Sequence, residues 1–147
     1  MTPEQYNRRF NTTTIKKNKV IKEKNCLTEH EEQVILVKWL DNNGYVFTSI
    51  PNSTWTPGYS QQRKNSAEGL RAGLPDLLVI VRGRLVWIEM KKTDRKPKRG
   101  GKGGVSEAQR QWIEDLNKCE GCSAHVAYGA EEAINKIKTL DKMSTIC

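Results

Sequence analysis

The sequence predicts an α/β domain, a mixed β-sheet flanked by helices, and three features of its 147 residues point there. Amphipathic stripes at helical spacing alternate with short β-rich runs rather than segregating from them. Two of those runs, Leu77–Val81 and Leu85–Ile88, are separated only by Arg82-Gly83-Arg84, which is a hairpin signal. The elements then read α-β-β-β-α-β-α around one sheet.

Residues 1–26 lack sustained periodicity and are rich in Thr, Asn and Lys, so they read as a basic flexible arm ahead of a domain over 27–147. Thr28 is a good N-cap, and Glu31 three residues later completes a capping box. Val34, Val37 and Leu40, with Leu36 beside them, form an apolar stripe that Asn42-Asn43-Gly44 ends. Tyr45–Ile50 alternates enough to be a strand, and Pro51–Lys64 reads as a polar loop. After the hairpin comes a basic glycine-rich loop. A helix is expected from Ser106, with Trp112, Ile113 and Leu116 on its apolar face. Ala124–Tyr128 reads as a strand, and Glu131–Leu140 as a last helix facing inward through Ala133, Ile134 and Ile137.

Composition narrows the function classes. No apolar run exceeds the five residues Leu77–Val81, far short of a membrane span. The N-terminal MTPEQYNRRF has no apolar signal core, so a soluble, cytoplasmic protein is expected, in the host cytoplasm if phage-encoded. Cys26, Cys119, Cys122 and Cys147 are too scattered for a disulfide framework, and the lone CxxC lacks partners for zinc.

The net charge of +8 is concentrated in two segments. Residues 1–26 hold seven Lys and Arg against two acids, and residues 91–102 hold seven against one. Such segments favour polyanions, because each neutralised phosphate releases counterions. The simpler reading of a charge run is a solvated tail or loop. Position argues otherwise for the second run, which leaves the sheet directly after the residues that carry chemistry.

If Arg82-Gly83 is a two-residue turn, Val81 faces Arg84, and counting outward places Asp76 opposite Glu89. Cross-strand Cβ atoms lie about 5 Å apart, so these carboxylates repel unless a cation lies between them. Lys91, two residues beyond Glu89, projects from the same face. Hard carboxylate oxygens suit Mg²⁺ or Mn²⁺, and such an ion polarises a phosphodiester and acidifies a water. Taken alone, the triplet is equally consistent with a salt bridge on an edge hairpin.

Three stretches add context: EGLRAGLPDLLVIVRGRLVWIEMK (68–91), GGVSEAQRQWIEDL downstream and LTEHEEQVILVKWL upstream. Together they resemble the VRR-NUC family of PD-(D/E)xK nucleases, most of all its small stand-alone phage and bacterial members. The resemblance runs from about Leu27 to Ile137 and implies a restriction-endonuclease-like fold. Its implied roles place Asp76 of Pro75-Asp76, Glu89 and the Met90 carbonyl on the metal, with Lys91 completing ExK. Gln109 of Ser106-Glu107-Ala108-Gln109 matches the family's helix glutamine. A first-helix glutamate usually completes the site; Glu29, Glu31 and Glu32 compete, with Glu29 preferred and Glu32 second. Arg63, Lys64, Arg71, Lys92, Arg95, Lys96, Lys98, Arg99 and Lys102 are candidate phosphate contacts. Asn52 could reach substrate, and Trp55 and Tyr59 could stack on bases or pin a loop.

The expected function is therefore a divalent-metal-dependent DNA endonuclease. The resemblance further implies homodimers acting on branched DNA, in the manner of a Holliday-junction resolvase. The competing reading is a non-catalytic DNA-binding module with a vestigial site.

Overall fold

The computed structural model describes residues 26–51 and 59–143. Its elements are α1 (Glu29–Asn42), β1 (Val46–Ser49), α2 (Tyr59–Ala67), β2 (Leu77–Val81), β3 (Arg84–Lys91), a 3₁₀ turn (Thr93–Arg95), α3 (Glu107–Lys118), β4 (Cys122–Tyr128) and α4 (Ala130–Met143). The sheet order is β1-β2-β3-β4. The first three strands are antiparallel and β4 lies parallel to β3, so the sheet is mixed, as expected.

The hairpin forms as its turn chemistry dictates. Arg82 (φ 51°) and Gly83 (φ 76°) are both left-handed, the conformation a two-residue type I′ turn requires. That turn fixes the register: Val81 pairs with Arg84 and Leu77 with Ile88. One further step places Asp76, just before β2, across from Glu89.

One face of the sheet carries the core. Leu77, Val79 and Val81 of β2, and Val86, Ile88 and Met90 of β3, are buried against Leu36 and Leu40 of α1 and Ala133 and Ile137 of α4. The first helix turns differently from the expected stripe. Leu36 and Leu40 are fully buried, while Val34 is 37% exposed. The buried row runs Glu32, Leu36, Leu40 at steps of four, which brings a carboxylate into the interface with α4.

The opposite face takes α3, whose Trp112, Ile113 and Leu116 are half-buried. Here Asn117 closes the outer edge of β4, its side chain accepting from Ala124 N at 2.9 Å and donating to Ala124 O at 3.0 Å. A free strand edge is thereby satisfied at one residue.

The segment read as a loop through Lys64 contains α2 instead. Its sequence YSQQRKNSA has no apolar stripe, so periodicity cannot reveal it. Local bonds stabilise it: Gln61 donates to Asn65 at 2.8 Å, and Arg71 Nη1 binds the carbonyls of Ser66 and Leu70 at its C-terminal end. Cys119 caps α3 and Cys122 opens β4, both as free thiols. Asn52, Trp55 and the Tyr59 side chain lie outside the described residues. No helix among the described residues is long and apolar enough to cross a membrane.

Candidate active site

At the open end of the hairpin β3 changes from purely apolar burial to alternating apolar and charged residues. Ile88 and Met90 point into the core, and the alternating positions Glu89 and Lys91 point to the other face. Both are buried, Glu89 to 1% and Lys91 to 7% exposure. Lys91 Nζ donates to Glu89 Oε1 at 2.6 Å. Asp76 Oδ2 accepts from the Met90 backbone N–H at 2.8 Å, which ties the end of β2 to the centre of the site.

Gln109 joins the group from α3 by a local device. Ser106 and Gln109 form a reciprocal capping box: Gln109 Oε1 accepts from Ser106 N at 2.9 Å, and Ser106 Oγ accepts from Gln109 N at 3.2 Å. With its oxygen so engaged, the amide turns Nε2 outward, where it donates a short hydrogen bond to Glu89 Oε1. One glutamine thus starts the helix and holds the carboxylate. Gly73 brings α3 this close. A Cβ there would lie 2.7 Å from the Ala108 carbonyl carbon and 2.9 Å from Gln109 N.

The three glutamates of α1 separate by role. Glu31 closes the N-cap box with Thr28. Glu32 accepts from Thr93 Oγ1 at 2.9 Å and from Ala130 N at 2.7 Å, joining α1, the 3₁₀ turn and the start of α4. Glu29 is the one whose charge, with that of Asp76, acts on Glu89. Of the three, Glu29 alone adds its charge to that acting on Glu89, while Glu32 is occupied by a structural task. The hint in the sequence was Glu32's position four residues before Leu36.

Glu89 is electrostatically unusual. Burial pushes its carboxyl up to about 7; the Lys91 hydrogen bond opposes this, while Asp76 and Glu29 add to it. Among the described residues its second oxygen, Oε2, is buried with no hydrogen-bond partner. An unpartnered carboxylate oxygen beside a second carboxylate is a place a hard cation fits. Mg²⁺ is commonly held by one or two carboxylates and completes its shell with water. Among the described residues no three His, Cys, Asp or Glu side chains form an all-protein cage. The Met90 side chain is fully buried in the core, so only its backbone is available to a metal.

The basic residues divide as well. Arg95, Lys98, Arg99 and Lys102 are exposed on the loop, and Lys92 is half-buried. Lys96 pairs with Glu132 at 2.8 Å. Arg63 and Lys64 lie on exposed α2, and Arg71 is engaged at its C-terminal end. A cleft of about 660 Å³ between β4, α4 and the 3₁₀ turn includes none of Asp76, Glu89, Lys91 or Gln109. The candidate site lies outside that cleft.

Comparison with known proteins agrees with the mixed-sheet fold. The VRR-NUC domain family matches residues 17–131. A solved structure described as a VRR_NUC domain protein is similar at TM-score 0.59 and 27% identity, over 80% of this chain and 91% of the other. A search of curated proteins finds no match.

Proposed function

This chain belongs to the VRR-NUC domain family, and from that premise we propose that it is a divalent-metal-dependent DNA endonuclease with its centre at Asp76, Glu89 and Lys91. Family membership supports a nuclease acting on DNA at the coarse level. The finer reading is carried by one observation: Glu89 is fixed through Oε1 by Lys91 and Gln109, while Oε2 stays unpartnered and buried near Asp76.

Asp76, Glu89 and the Met90 carbonyl would hold the ion, with Glu29 at the rim. Bound there, Mg²⁺ or Mn²⁺ would supply Lewis-acid polarisation of the phosphodiester and a more acidic water. The chain's own groups do the rest. Lys91 neutralises Glu89 in the resting protein and is in reach of charge that develops on phosphate oxygens. Gln109 keeps Glu89 from rotating. The basic loop leaves β3 directly after Lys91, so its charge draws the DNA backbone to the scissile position.

Branched DNA is the proposed preferred substrate and a homodimer the proposed working form, since two-fold symmetry would give paired cuts. A cleavage panel with Mg²⁺ and Mn²⁺ across linear duplex, single strand, flap, fork and four-way junction tests this. Junction cutting that Lys91→Ala abolishes supports the proposal. Binding without cutting in either metal would leave a DNA-binding module and sink the enzyme reading.

A further inference from the structure

The site is short of available positive charge. Asp76 and Glu29 both add negative charge at Glu89, and the Lys91 ammonium is already held 2.6 Å from Glu89. A phosphodiester brings another negative charge, and more gathers on its oxygens during displacement.

Arg95 stands where that charge is needed. It ends the 3₁₀ turn that follows β3. Its exposed side chain lies against Gly104 of the glycine-rich loop, which the stem of Lys91 also approaches. A methyl group added to Gly104 would lie 3.1 Å from Arg95 Cδ, 3.2 Å from Arg95 Nη1 and 3.9 Å from Lys91 Cδ. The two cationic side chains therefore flank a single glycine. That glycine sits at φ +72°, where a side chain would be strained as well as crowded.

The turn carrying Arg95 is anchored from below. Thr93 Oγ1 donates to Glu32, and Gly129 leaves the room for it, since a Cβ there would lie 2.5 Å from that hydroxyl. Among the described residues no carboxylate lies within 4 Å of the Arg95 guanidinium, whereas its neighbour Lys96 is paired with Glu132. A guanidinium carried on an anchored turn and sharing Gly104 with Lys91, with no acid to neutralise it, matches an anion with two oxygens in one plane.

We propose that Arg95 grips the non-bridging oxygens of the scissile phosphodiester, as the second cation of the active site. This rests on the nuclease reading above. It sets Arg95 apart from Lys98, Arg99 and Lys102, which act on the DNA backbone at large.

The test compares wild type with Arg95→Ala, Arg95→Lys and Arg84→Ala, a control at the far end of the hairpin. Single-turnover cleavage is measured at saturating DNA, with thermal melts to confirm folding. Arg95→Ala is expected to cut about a hundredfold more slowly, the loss typical of one transition-state donor. Arg95→Lys should recover part of the rate and Arg84→Ala should match wild type. Wild-type cutting by Arg95→Ala at saturation overturns the proposal. If the wild-type chain cuts nothing, the nuclease reading has failed by itself. Binding in Ca²⁺ then decides the role of Arg95. Its loss must lower the slope of log affinity against log salt by about 0.9, and an unchanged slope rejects it.

Discussion

Glu89 is the residue on which the proposed chemistry turns, and its burial carries a cost. Its carboxyl titrates at about 7 in the folded protein, against an ordinary 4.5. Below 4.5 both states are protonated and nothing is lost. Between 4.5 and 7 the unfolded chain releases its proton first, so metal-free stability falls as pH rises. Above 7 the full cost is present, about 3 kcal/mol for a shift of this size. Chemical denaturation of the metal-free protein at pH 4.5 and pH 8 should show that slope, and Glu89→Gln should lack it. A divalent cation must displace the same proton, so the apparent Mg²⁺ affinity should weaken about tenfold for each pH unit below 7. Asp76→Ala and Glu89→Ala should each lower cutting by about three orders of magnitude while a cooperative melt persists. Retained activity in either variant removes that residue from the proposed centre. Glu29 and Glu32 are separable in the same way. Glu29→Gln should slow cutting at nearly unchanged stability. Glu32→Ala, which strips partners from Ala130 N and Thr93, should cost about 1–3 kcal/mol in denaturation.

At the scale of elements, the site is an encounter between a hairpin end and a helix start. The hairpin was readable because Arg82-Gly83 specifies a turn, and a turn specifies register. The α3 contribution was readable in part: Ser106 marked the helix start and the family resemblance pointed to Gln109, while the capping box that joins them emerged from the structure. What brings them together is Gly73, a glycine ahead of β2 that permits a tight backbone approach. Its absent Cβ allows the start of α3 to rest on the chain leading into β2. Gly73→Ala should cost about 2–3 kcal/mol through overpacking and a strained φ of +96°. Cutting should fall with it, because Gln109 is displaced from Glu89. Normal rates at reduced stability would show that Gln109 is dispensable. Helix α2 escaped detection for the opposite reason. It is polar all round, held by local bonds rather than by a buried stripe.

For the molecule as a whole, charge and topology are arranged on one side of the sheet. The core occupies the face of α1 and α4, while Glu89 and Lys91 project to the other face, with the basic loop entering beside them. Electrostatic attraction to DNA should therefore be strong, general and sensitive to salt. Replacing Lys98, Arg99 and Lys102 together by alanine should weaken binding equally for every sequence. The slope of log affinity against log salt should drop by about 2.7 for three lost phosphate contacts. Isotherms that ignore salt in the wild-type chain would place the recognition elsewhere.

The sequence by itself determined the elements whose cause is local. These are the capped starts of α1 and α3, the two-residue hairpin with its register, and the concentration of charge after Lys91. Tertiary structure alone decided that Glu32 is spent on Thr93 and Ala130, how deeply Glu89 is buried, and that Arg95 and Lys91 both approach Gly104. Those facts depend on helix rotation and on backbone approaches at Gly73, Gly104 and Gly129. A linear pattern records which residues share a face, but not which other face they will meet.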